Sequence, residues 1–100
     1  MNFAETLAHD RRLVILRLLS EVNGTANESV LYSGLESVGH SAMLTRENVR
    51  ADLRFLEGVG AIRIEWFGER LAVAHLLLRG EEIAQGKITV PGIKRPSLPE

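Results

Sequence analysis

Between Thr45 and Gly86 the apolar spacing changes from a helical repeat to an alternating one and back. Val49, Leu53 and Leu56 recur at i, i+4 and i+7, which predicts a helix opened by a Thr45 cap and ending near Gly58–Gly60. The next stretch, AIRIEW, alternates: Ile62, Ile64 and Trp66 fall on one face, expected to be the core face, and Arg63 and Glu65 on the other. Phe67-Gly68-Glu69 predicts a turn, with Gly68 taking positive φ, and Arg70 to His75 returns antiparallel. A last helix, about Leu77 to Gln85, is closed by Gly86.

Upstream, a first helix is expected from about Asn2 or Phe3 to Glu21. Ile15, Leu18 and Leu19 share a face with Leu7 and Arg11 on its edge, and Leu13, Val14 and Leu16 widen the apolar arc. Asn23-Gly24 ends it. Thr25 and Glu28 match a capping box for a second helix, along which Leu31, Leu35 and Val38 recur before Gly39 stops it. The connector GHSAML is slightly longer than the tightest helix-turn-helix turn. Three helices, a two-stranded antiparallel hairpin and a fourth helix define the expected class, an α+β winged helix-turn-helix over residues 1–88. Residues 89–100, which hold all three prolines, are expected to form an extended tail.

Composition narrows the function. One hundred residues make one domain, and 45% apolar content is ordinary for a globular chain. Twelve Lys and Arg are cancelled by thirteen Asp and Glu, giving a net charge of -1, so any phosphate-binding surface has to be local. There is no cysteine, which excludes disulfides and thiolate metal sites, and a cytoplasmic location is expected. The longest apolar run, Leu71 to Leu78, is too short to span a bilayer and contains His75.

Helix three is the expected DNA-reading element. Arg46, Glu47, Arg50 and Arg54 lie within roughly 100° of arc, opposite the apolar stripe. Arg46, near the N-terminus, is placed to reach a base edge or a flanking phosphate; Arg50 faces the same way; Arg54 is placed for backbone contact. Asn48 lies off this face and reaches an adenine edge only if the docking is rolled. Arg63 and Arg70 on the hairpin are candidates for phosphate contact. The plainer reading is an amphipathic helix kept soluble by arginines paired with Glu47, Asp52 and Glu57.

Other chemistry is poorly supported. His9, His40 and His75 show no ligand spacing, so neither a metal nor any other cofactor is expected. The serines lack a GxSxG setting and the only paired carboxylates are Glu81-Glu82, so the chain is read as no enzyme. An alternative to DNA binding is a protein-interaction adaptor using Leu13, Leu16, Phe67 and the tail. A homodimer through Phe3, Leu7, Leu13 and Leu16 is expected because helix one is apolar over more of its surface than one small core requires.

The chain also resembles a known group. DRRLVILRLLSE (Asp10 to Glu21), ANESVL (Ala26 to Leu31), Gly39-His40, RENVRADLRFLEGVGAI (Arg46 to Ile62), RGEEIAQG (Arg79 to Gly86) and VPGIKRPS (Val90 to Ser97) together resemble a family of small proteins of Mu-like bacteriophages and related prophages. The resemblance covers nearly the whole chain. It implies a winged helix similar in outline to ArsR-type regulators, and a role in regulating phage genes. Metal sensing is not implied, because no cysteine or histidine cluster is present. Leu78 stands near the place where many winged helices have a threonine cap for the last helix.

Overall fold

A computed structural model describes residues 1–97 of the chain; residues 98–100, the end of the expected tail, lie outside it. The element order is α1 (Phe3–Glu21), β1 (Thr25–Asn27), α2 (Glu28–Ser37), α3 (Arg46–Gly58), β2 (Ile62–Phe67), β3 (Leu71–Leu76) and α4 (Leu78–Ala84). The sheet has three antiparallel strands in the order β1-β3-β2. This is a winged-helix-like α+β fold, with the three-helix core and C-terminal helix that the periodicity predicts.

The helix boundaries follow from local chemistry. Asn2 caps α1 through its side-chain oxygen, and Asn23 at φ 64 followed by Gly24 turns the chain out of it. Thr45 caps α3, accepting from the Asn48 N–H at 3.0 Å. At α2 the expected cap is displaced. Thr25 opens β1 instead, pairing with His75 across the sheet, and Asn27 caps the helix by accepting from the Val30 N–H at 2.9 Å. Helix α4 begins at Leu78 after Leu77 and has no side-chain cap, in keeping with the missing threonine.

The core is formed by Leu13, Ile15, Leu16 and Leu19 of α1, Leu31 and Leu35 of α2, Val49, Leu53 and Leu56 of α3, with Ile62, Ala74 and Ile83. The wide apolar arc of α1 is covered from four sides, by α2, α3, α4 and β3. Leu13 and Leu16, expected at a subunit interface, are therefore only 3% and 0% exposed within one chain. Phe3 and Leu7 lie beyond the core, Phe3 fully on the surface.

Two other inward positions are corrected. Val38 follows the last turn of α2 as its C-cap and is exposed, because the helix that would have carried it inward stops at Ser37. Trp66 keeps the face of Ile62 and Ile64 but sits near the hairpin tip, past the end of the core, and is 40% exposed.

The segment after α4 packs on the domain. Val90 and Ile93 join the core, and the Lys94 N–H donates to the His9 carbonyl at 3.1 Å. Gly92, at φ +94, lies against the Phe55 ring so closely that a Cβ there would collide with it. Residues 90–94 thus form a strap over α1 and α3. No helix among the described residues is long and apolar enough to cross a membrane.

Candidate nucleic-acid interface

Helix α3 has different neighbours on its two sides. On one side stand the start of α2 and the hairpin, which enclose a cleft of about 300 Å³ lined by Glu28, Arg46, Glu47, Arg50 and Arg70. Arg46 is exposed; its Nη1 donates to the Ser29 hydroxyl at 3.2 Å and its guanidinium lies 5.9 Å from the centre of the Tyr32 ring. Arg54 is exposed, 6.0 Å from the Trp66 ring. Arg70 occupies the hairpin turn.

Arg50 is held by protein partners. Its Nε donates to Glu28 Oε2 at 3.1 Å and its Nη2 donates to Glu28 Oε1 and to the Arg70 carbonyl oxygen, the latter at 3.2 Å. The Trp66 ring lies 5.2 Å from this guanidinium. The hydrogen bonds that Arg50 donates to Glu28 raise the Arg50 pKa above its already high ordinary value. Glu28, the first residue of α2, is buried; it faces across to Arg50 rather than closing a capping box.

Arg46, Arg50, Arg54 and Arg70 are thus brought together, with Glu28 and Glu47 among them. Two expected site residues lie elsewhere. Asn48 donates its side-chain amide to the Met43 carbonyl at 2.7 Å and lines a separate groove of about 330 Å³ beside α1, together with Arg11, Arg12 and Asp52. Arg63 stands opposite His75 in the β2–β3 register, on the outer face of the sheet, away from α3. On that face His75 lies between the Thr25 hydroxyl, 3.1 Å from Nδ1, and Glu65, 2.9 Å from Nε2.

The other side of α3 holds a buried polar hub. Asp52, 1% exposed, accepts from Arg11 Nε at 2.7 Å and Arg12 Nε at 3.1 Å. Arg12 also donates through Nη1 to the Gly92 carbonyl at 2.8 Å, and stacks 4.0 Å over the Phe55 ring. Burial pushes the Asp52 carboxyl above its ordinary value, and the two arginines pull against that rise. The hub therefore ties α1, α3 and the C-terminal strap together.

Sequence reasoning missed Glu28 and Trp66 as members of the α3 surface. Glu28 had a local explanation as a cap residue, while its partner is 22 residues away. Asp52 looked like a surface charge for a similar reason, its partners lying 41 and 40 residues back.

The helix and strand order, the β1–β3 pairing and α3 beside a short hairpin define a small protein of winged-helix-like α+β fold. Its relatives include a phage protein and a bacterially encoded one. The chain is 38% identical over 92 residues to uncharacterized protein gp26 of Escherichia phage Mu, covering 92% of this chain and 93% of that one. It is 40% identical over 79 residues to an uncharacterized protein of Haemophilus influenzae, covering 79% of this chain and 76% of that one. The chain belongs to this family of Mu phage gp26 and its bacterially encoded relatives. No family profile matches it. No solved structure matches it.

Proposed function

We propose that this protein binds duplex DNA through α3 and the hairpin and regulates phage or prophage genes. The observation that carries this reading is that exposed Arg46 and Arg70 line one cleft of a winged-helix-like domain, with exposed Arg54 on the same helix beside Trp66. Arg46, at the start of α3, is the residue placed to meet a base edge or flanking phosphate; Arg54 and Arg70 meet phosphate. Glu28 and Glu47 on the same side keep non-specific attraction low, so binding is weak on random duplex and steep in salt.

Fluorescence anisotropy with a labelled duplex at several salt concentrations tests the reading. Arg54→Ala, the loss of one phosphate contact, is expected to lower the salt slope by about one. Arg46→Ala is expected to cost about 1–3 kcal/mol on a cognate site if it reads a base, and to relax specificity there. Weak, salt-independent binding that neither substitution changes would reject the reading.

A second reading is favoured by the glutamates on that face and the net charge of -1: an adaptor that docks protein through the exposed hairpin aromatics, Trp66 and Phe67. Leu13 and Leu16 are excluded from its contact surface by burial. Capture of a protein partner that Phe67→Ser abolishes, with no duplex binding, favours the adaptor.

DNA reading by a pair of recognition helices needs a dimer. Phe3, 67% exposed, and Leu7 on the first turns of α1 are the residues proposed to pair two chains, burying about 800 Å² per subunit for an interface of ordinary size. Sedimentation equilibrium checks this. Phe3→Asp is expected to leave a monomer, and a strict monomer of the parent at high concentration removes the dimer.

A further inference from the structure

We propose that Glu28 and Arg50 are positioning residues: a clasp that fixes the β2–β3 hairpin on α2 and α3, and so sets the angle between the wing and the recognition helix. The clasp joins three elements at one guanidinium. Glu28 is the first residue of α2, Arg50 lies in the second turn of α3, and the Arg70 carbonyl belongs to the hairpin turn. The Trp66 ring from the inner face of the hairpin lies beside the same group.

The hydrogen-bond arithmetic favours positioning over ligand contact. The Arg50 fork spends Nε–H and one Nη2–H on Glu28 and the other Nη2–H on the Arg70 carbonyl. Only Nη1 remains. Bidentate recognition of phosphate or guanine needs two adjacent N–H groups, and each such pair of this fork includes at least one nitrogen already committed. Withdrawing Arg50 to meet DNA would also strand the buried Glu28 carboxylate without its counter-ion. Arg50 therefore stays with Glu28, and the arginines left to meet a ligand are Arg46, Arg54 and Arg70. The clasp itself stands on the fold alone; its consequence for DNA rests on the function proposed above.

The chain has a single tryptophan, Trp66, so the test is direct. Arg50→Lys keeps the charge and an ion pair with Glu28, but one ammonium lacks the planar fork that holds a carboxylate and the Arg70 carbonyl together. Acrylamide quenching of Trp66 is expected to rise about twofold in Arg50→Lys, with faster backbone relaxation over residues 66–71 and unchanged helical circular dichroism. Glu28→Gln, which keeps the shape and removes the charge, is expected to act the same way; if it fails to fold, Arg50→Lys carries the test. A folded Arg50→Lys protein with parental quenching and relaxation overturns the clasp. In the duplex titration, Arg50→Met is expected to weaken binding without changing the salt slope, whereas a slope lowered by about one makes Arg50 a phosphate ligand and overturns the positioning role. If the parent binds no duplex at all, the functional reading fails and the fluorescence and relaxation arms still decide the clasp.

Discussion

Helix α3 carries a carboxylate–arginine cluster on each side, and each borders a groove; on the sealed side the arginines are largely buried, and on the open side exposed arginines surround the pair. In the Asp52 cluster the carboxylate is buried between Arg11 and Arg12, and Arg12 is further committed to the Gly92 carbonyl and the Phe55 ring. In the Glu28 cluster the carboxylate is also buried, but its arginine is a third exposed, with exposed Arg46 and Arg70 lining the same cleft and exposed Arg54 beside Trp66. The same pairing therefore has different work to do. A pair whose arginines are buried fixes how elements pack; a pair ringed by exposed arginines fixes where those cations stand. Helix α3 is the shared wall, so the sealed side supplies the rigidity that the open side uses.

The largest effect is expected where the sealed side is broken. Asp52→Ala leaves the buried Arg11 without a carboxylate and Arg12 with only the Gly92 carbonyl. Breaking a buried pair in this way costs about 3–5 kcal/mol. For a domain of this size the melting temperature is expected to fall by on the order of 15 °C or more, read by circular dichroism. Glu47→Ala, on the exposed open side of the same helix, is expected to stay within about 0.5 kcal/mol of the parent. Equal melting points for the two variants would erase the distinction between the sides.

A smaller loss is expected from the strap that closes the hub. Gly92→Ala places a methyl group against Phe55 and forces a positive φ on a residue with a side chain. The expected cost is about 1–3 kcal/mol, from strain and displacement of the strap. Urea denaturation measures it, and an unchanged midpoint would mean that residues 90–94 rest on the hub without supporting it. For the same reason, truncation at Val90 does not test a docking tail cleanly: it also removes Ile93 from the core.

What was legible in the sequence follows how local each signal is. The Thr45 cap and the Val49, Leu53 and Leu56 stripe lie within one helix, and the structure places them as expected. The hairpin was readable because β2 alternates from Ile62 to Trp66 and Gly68 marks its turn. Strand β1 was not, since three residues are too few for a period to register, and its stability comes from pairing with β3 fifty residues away. There the Thr25–Glu28 spacing matched a capping box while Asn27, one residue before the helix, held the cap. The buried charges were hidden for a related reason. Asp52 and Glu28 have no local feature that separates them from solvated carboxylates, and only the tertiary fold brings their arginines near. The strap left a partial trace: Val90 and Ile93 are apolar positions within a Pro- and Gly-containing stretch, where the prolines dominated the reading.

On the open side, substitutions are expected to separate binding from stability. Arg54→Ala removes an exposed cation beside Trp66 and is expected to shift stability by no more than about 0.5 kcal/mol. Its effect belongs in the salt dependence of duplex binding. An Arg54→Ala protein that melts well below the parent would mean that the open side is also structural.

The smallest effect is expected at Arg63, and it limits how far the open side extends. The β2–β3 register puts Arg63 opposite His75 on the outer face of the sheet, while Trp66 on the inner face meets Arg50 and Arg54. A duplex lying along α3 and the hairpin tip meets the inner-face side of the wing. Arg63→Ala is therefore expected to leave both affinity and salt slope at parental values, in the same anisotropy titration that registers Arg54→Ala. Both arginines are exposed and carry one charge, so the comparison isolates position. A slope lowered by about one in Arg63→Ala would show that the nucleic acid wraps the wing and touches the outer face of the sheet. The binding surface would then be the whole hairpin, and the division of α3 into a sealed side and an open side would no longer describe where this domain meets its ligand.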